Sequence, residues 1–187
     1  MDDGELIERR LSTTLVFDGA LLKVNRDQVQ LPDGAESIRE WIAHPGAVVV
    51  IARLDNGKLI FERQFRYPLH QIFVELPAGK IDPNEHPLDT ARRELREETG
   101  YVAKQWRQLA TMHPCIGYSN EQITIFWAQG LSYVGHQRDQ GEHLEILEMS
   151  INDALLAVRD AEITDAKTIT ALMWADKILN GIWPLPD

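Results

Sequence analysis

The stretch that decides the fold is GKIDPNEHPLDTARRELREETGY, residues 79–101. Leu88, Ala91 and Leu95 recur at helical spacing, which predicts a helix over its second half. That helix crowds Glu94, Glu97 and Glu98 onto one side. With successive residues 100° apart, the three acids fall within an arc of about 100° beside the apolar one. Like charges three or four residues apart destabilise a helix by roughly 0.2–0.5 kcal/mol per pair, so the stripe needs a reason. An apolar arc can hold the helix on a sheet while the acidic arc faces a cleft. Arg93, four residues before Glu97, can pair with that carboxylate and orient it. Converging carboxylates are hard oxygen donors, suited to Mg²⁺ or Mn²⁺ together with substrate phosphates. The plainer reading is a solvated acidic face. Gly79 permits a tight loop whose backbone approaches a ligand closely, and Gly100 fits a left-handed helix stop.

Working outward, the residues before this stretch read mostly as strands. TTLVFDG and ALLKVNRDQVQL predict a hairpin turning at Asp18-Gly19. AVVVIARLDNGKLIFERQF predicts another at Asn56-Gly57, between two apolar runs. Pro32-Asp33-Gly34 is a turn and marks a boundary. Residues 1–35 are expected to form an N-terminal β arm and residues 36–187 the main domain. After Gly100, VAKQWRQLATMH, EQITIFWAQGLSYV and LEILEMS read as strands, and HQRDQGEH as a polar loop. Ser150 with Asp153 opens a helix running to about Asp160. A last helix spans 165–180, with Gly181 able to end it. Strands and helices mix without strict alternation. The expected class is therefore α+β, or a mixed sheet sandwiched by helices.

The chain has 187 residues and a formal net charge of −10. Its length suits one domain with a small extension. So acidic a surface repels nucleic-acid phosphates, yet metal ions can reverse the sign locally at a phosphate substrate. Nucleic acid is not an expected partner. One cysteine, Cys115, excludes an intramolecular disulfide. It reads as a small buried apolar residue, with a reactive thiol as the alternative. MDDGELIERRLSTT holds no apolar run of signal-peptide length, and no window nears the ~18 apolar residues of a membrane span. The expected location is the cytoplasm, without membrane contact.

Gly79, five residues, Glu85, seven residues, then Arg93-Glu94-Leu95-Arg96-Glu97-Glu98-Thr99-Gly100 resembles the Nudix box at every position. Seven fixed residue types arise by chance on the order of once in 10⁹ placements. The resemblance runs from about residue 36 to the C-terminus. It implies an α/β/α sandwich around a mixed sheet, and hydrolysis of a nucleoside diphosphate linked to another moiety with Mg²⁺ (Mn²⁺ can substitute). It makes Glu94 and Glu98 metal ligands, Glu97 a ligand directly or through water, and the carbonyl of Ala78 a further one. Glu85 and Arg93 become orienting groups in a loop–helix–loop.

ERQFRYP, ELPAGKID, EITDAKTITAL and Pro114 before SNE are similar to ADP-ribose pyrophosphatases within that family. The likeness implies ADP-ribose as substrate, giving AMP and ribose 5-phosphate. It places the general base on a loop near the last strand, where GEHLEILE offers Glu142 first and Glu145 second. It assigns Arg66 to the substrate's phosphates, Arg39 to a second such contact and Glu121 to a ribose or the metal site. Trp41 offers an aromatic face for a base, or else packs half-buried on a strand. The other tryptophans read as packing, and His44, His113 and His143 receive no role. The likeness also implies a homodimer built through the N-terminal arm. The alternatives are another nucleoside diphosphate sugar such as GDP-mannose, a non-catalytic nucleotide-binding domain, and a hydrolase of oxidised nucleotides or dinucleoside polyphosphates.

Overall fold

The computed structural model describes residues 3–137 and 143–186. The chain divides into two compact units, one running through His44 and taking in Cys115–Glu121, the other comprising Pro45–Pro114 and Gln122–Asp187.

The first unit is built on β1 (Arg9–Asp18), β2 (Lys23–Gln30) and β3 (Glu36–Ala43). They form an antiparallel sheet in the order β1-β2-β3. The hairpin expected after Asp18 is present, closed by Gly19 N–H donating to the Leu22 carbonyl at 2.9 Å. The Pro32-Asp33-Gly34 turn is present too, with Gly34 at φ 89°. It sits inside the sheet rather than at its end. β3 pairs with β2 from Glu36 to Ala43, so the N-terminal sheet runs eight residues past the boundary expected at residue 35. Little of this sheet is buried, and Leu11, Leu15, Phe17, Leu22 and Ile38 stand exposed. In the same unit Cys115 is half-buried and accepts a hydrogen bond from the Tyr118 hydroxyl at 3.2 Å, so it is not the core residue expected.

The second unit holds β4 (Ala47–Arg53), β5 (Leu59–Arg66), β6 (Gln71–Glu75), β7 (Ala78–Lys80), α1 (Pro87–Thr99), β8 (Tyr101–Met112), β9 (Ile123–Tyr133), β10 (Leu144–Met149), α2 (Ile151–Arg159) and α3 (Ala166–Leu179). The sheet order is β10-β5-β4-β9-β8, with β6 on β5 and β7 on β4. β4 and β9 run parallel and the other pairs antiparallel, which makes the sheet mixed as expected.

Alternate residues of β4 point to opposite faces, as a strand's period of two requires. Val49 and Ile51 pack with Ala154 of α2 and Ala171, Leu172 and Ala175 of α3. Val48, Val50 and Ala52 pack with Ala91 and Leu95 of α1. Helices on both faces of a mixed sheet give the α/β/α sandwich. The Asn56-Gly57 turn is present, with Gly57 at φ 84°. The strands it joins then part, and only Arg53 and Leu59 pair across it. Beyond the turn, β4 lies between β7 and β9, and β5 between β6 and β10.

Candidate active site

β7 leads through a loop into α1, and Arg93 fixes the shape of that loop. Its Nε and Nη2 donate to the two carboxylate oxygens of Glu85 at 3.0 and 2.9 Å. Nη2 also donates to the Lys80 carbonyl at 3.2 Å. Nη1 donates to Glu94 Oε1 at 2.8 Å and Glu97 Oε2 at 3.1 Å, so the expected i,i+4 pairing is present. Thr90 Oγ1 donates to Glu85 at 2.7 Å. The Arg93 bonds, aided by Thr90 and by the Asp82 backbone, outweigh burial and hold the Glu85 carboxyl down at about 2. Glu85 and Arg93 thus tie the loop to the helix.

Helix α1 begins at Pro87, a proline whose missing N–H costs nothing in the first turn. His86 caps it, Nδ1 accepting from Leu88 N–H at 3.4 Å. Gly100 ends it at φ 77° with its N–H on the Arg96 carbonyl. Ala91 and Leu95 are fully buried and Leu88 packs beside them, the anchoring arc expected.

The acids are arranged less simply than one cleft-facing stripe. Glu97 is the most open, its side chain 31% exposed, against 14% for Glu94. A Cβ on Gly79 would lie 1.9 Å from Glu94 Oε1 and 2.0 Å from Glu94 Cδ. The Glu94 carboxylate therefore rests on the bare Cα of Gly79, and glycine is needed there for close approach. Glu98 turns inward. It is 3% exposed, and its Oε2 accepts from the Ala78 N–H at 3.2 Å. A buried carboxylate requires such a donor. The sequence likeness singled out the Ala78 carbonyl, whereas the group engaged by Glu98 is the N–H of the same residue.

The chemistry of this donor set fits a hard divalent cation: three carboxylates within two turns of α1, beside the half-buried Gly79. Among the described residues no three His, Cys, Asp or Glu side chains gather closely enough to hold an ion. Arg93 Nη1 lies against Glu94 and Glu97.

Arg66, at the end of β5, is bound by Glu75 of β6 through two hydrogen bonds of 2.7 and 2.8 Å. Lys167 Nζ bonds the same Glu75. Burial pushes the Glu75 carboxyl up, but the bonds from Arg66 and the charge and bond of Lys167 prevail and hold it below the usual range. Arg66 is stabilised as a cation by its bonds to Glu75, against its burial, and by the charges of Glu75, Glu62 and Glu98. Arg66 thus lies within the electrostatic reach of Glu98 in α1. Sequence reasoning missed Glu75, Lys167 and the fully buried Glu62. Glu75 and Lys167 stand inside ELPAGKID and EITDAKTITAL, so they were visible only as parts of motifs.

Glu142 falls outside the described residues. Glu145, the second choice for a base, is a β10 residue whose carboxylate pairs with Arg63 at 2.7 Å. Arg39, Trp41 and Glu121 belong to the first unit. There Arg39 is clamped by Glu8 at 2.9 and 2.5 Å. Trp41 is half-buried and donates from Nε1 to Asp27 at 3.0 Å, which favours the packing reading of that ring. Glu121 sits 3.8 Å from His44 Nδ1, a histidine to which no role had been assigned.

Comparison with known proteins agrees with this geometry. The NUDIX domain pattern matches residues 43–172, and that of a nucleoside diphosphate sugar hydrolase N-terminal domain matches residues 8–42. The chain belongs to the NUDIX domain family and is a hydrolase of that family. It is 40% identical over 171 residues to an ADP-ribose pyrophosphatase of Bacillus subtilis, covering 90% of this chain and 92% of that one. It is 37% identical over 174 residues to a methanol dehydrogenase activator of Bacillus methanolicus, covering 91% and 94%. A crystal structure of an ADP compounds hydrolase shares the fold, with a TM-score of 0.85, 22% identity and coverage of 94% and 95%. No helix among the described residues is long and apolar enough to cross a membrane.

Proposed function

We propose that this chain cleaves the diphosphate of a nucleoside diphosphate sugar, foremost ADP-ribose, yielding AMP and ribose 5-phosphate. The observation that carries this reading is the 40% identity to an ADP-ribose pyrophosphatase over nearly the whole of both chains. The Arg93-clamped acids of α1 and the Glu75-held Arg66 supply chemistry to match. Glu94, Glu97 and Glu98 would hold a divalent cation, Mg²⁺ or Mn²⁺, with the Ala78 carbonyl as a further donor. Such an ion, when bound, neutralises charge on the diphosphate and makes a water more acidic. Arg93 and Glu85 keep the loop and α1 in register. Gly79 leaves room for the Glu94 carboxylate. Arg66 meets the phosphates with a guanidinium whose Nη1 makes no hydrogen bond among the described residues. Glu142 takes the proton of the attacking water, with Glu145 the second choice. The family likeness assigns Arg39 and Glu121 to substrate contacts.

We further propose a homodimer formed through the N-terminal sheet and a cytoplasmic location. The exposed apolar side chains of the N-terminal sheet, Leu15, Phe17 and Ile38 among them, are the surface offered to the partner. The test of the activity is a phosphate-release screen with Mg²⁺ over ADP-ribose, GDP-mannose, UDP-glucose, NADH, diadenosine polyphosphates and nucleoside triphosphates. ADP-ribose should give the highest kcat/KM. GDP-mannose in first place would move the substrate within the class, and a preference for a triphosphate would overturn the reading.

A further inference from the structure

Arg66 does not stand alone at the end of β5. Glu75, which grips it, is 2% exposed and tied at both oxygens. Oε1 accepts from Arg66 Nε, and Oε2 accepts from Arg66 Nη2 and from Lys167 Nζ. Lys167 belongs to the first turn of α3, and its side chain is only 15% exposed. Its ammonium also meets Asp165 Oδ2 at 3.0 Å. That same oxygen caps α3 by accepting from Thr168 N–H at 3.0 Å. Thr168 Oγ1 in turn accepts from Leu76 N–H at 2.9 Å, one residue beyond Glu75. The N-terminus of α3 is thereby bonded to the chain at 75–76 from two sides. Arg66 and Glu75, with Leu69, Phe73 and Thr164, line a cavity of about 360 Å³.

The geometry of the bonds decides what this linkage does. Glu75 is held between the two cations Arg66 and Lys167, and Asp165 anchors Lys167 at the positive end of α3. Held so, the carboxylate fixes the fork of Arg66 in plane by two parallel bonds. Nη1 is thus presented in one orientation.

We propose that Lys167, acting through Glu75, is a positioning residue for Arg66, and that the pair sets the affinity of the site for the substrate's diphosphate. This rests on the proposed hydrolysis of a nucleoside diphosphate sugar. Lys167 touches no substrate. It holds the carboxylate that holds the arginine.

The experiment is a double-mutant cycle of Lys167→Met and Arg66→Ala, assayed with ADP-ribose and Mg²⁺, with melting temperatures recorded. Lys167→Met should raise KM roughly tenfold, the worth of one charge-assisted bond, with kcat within about twofold. Lys167→Arg should restore KM. In the Arg66→Ala background, Lys167→Met should add nothing further. An unchanged KM in Lys167→Met, or an equal rise with and without Arg66, overturns the proposal. If Lys167→Met does not fold, Glu75→Gln takes its place in the cycle and must show the same loss of effect without Arg66. A wild-type chain that turns over no nucleoside diphosphate sugar would instead overturn the underlying activity, before any variant is compared.

Discussion

Arg93 shows how one residue can answer the problem posed by a stripe of acids. Its three nitrogens reach Glu85, Glu94, Glu97 and the Lys80 carbonyl. The Glu85 arm is the structural half of this hub, and its depressed carboxyl at about 2, against an ordinary 4.5, makes stability depend on pH. A carboxyl whose folded pKa is lowered contributes stability in full above its unfolded value and loses it as pH falls through the folded one. The window for Glu85 is therefore from about 4.5 down to about 2. Urea unfolding should show the wild-type chain losing more stability than Glu85→Gln between about pH 5 and about pH 3. Equal losses in the two proteins would remove Glu85 from the account. The pairing of Arg93 with Glu97 was legible in the sequence, because four-residue spacing places side chains together on a helix. The inward turn of Glu98 was not. Spacing tells which side of a helix a residue occupies, but not that Ala78 would offer an N–H to a carboxylate at the border of the buried arc.

At the scale of elements, the box stretch was legible because several local signals agree on one helix. Pro87 opens it, an apolar stripe anchors it, and Gly100 stops it in the left-handed region. Helix α2 was legible for the same reason, through Ser150 as its cap. Two features were not. Asn56-Gly57 specifies a turn, and the turn is present, but no local rule says that β4 and β5 will find other neighbours beyond it. Pro32-Asp33-Gly34 looked like a boundary, yet a tight turn closes a hairpin as readily as it ends a unit, and β3 continues the ladder. Non-local pairing decided both outcomes. The linkage from α3 through Lys167 and Glu75 to Arg66 was hidden for the same reason, since Lys167 lies 92 residues from Glu75.

At the scale of the molecule, the N-terminal sheet leaves apolar side chains exposed along β1 and beyond, including Leu11, Leu15 and Phe17. A second copy of the chain is the partner proposed for them. Light scattering at micromolar concentration should return the mass of a dimer, and a strict monomer would reject it. The central claim is that the acids of α1 form the reactive centre of a hydrolase of nucleoside diphosphate sugars. It is tested most directly by the turnover of ADP-ribose with Mg²⁺ in Glu98→Gln, beside wild type and with melting curves of both. Glutamine keeps the size of the side chain and an oxygen for the Ala78 N–H, so the fold should persist. Turnover should fall by roughly two to three orders of magnitude or more. A folded Glu98→Gln protein with near-normal turnover would contradict the account.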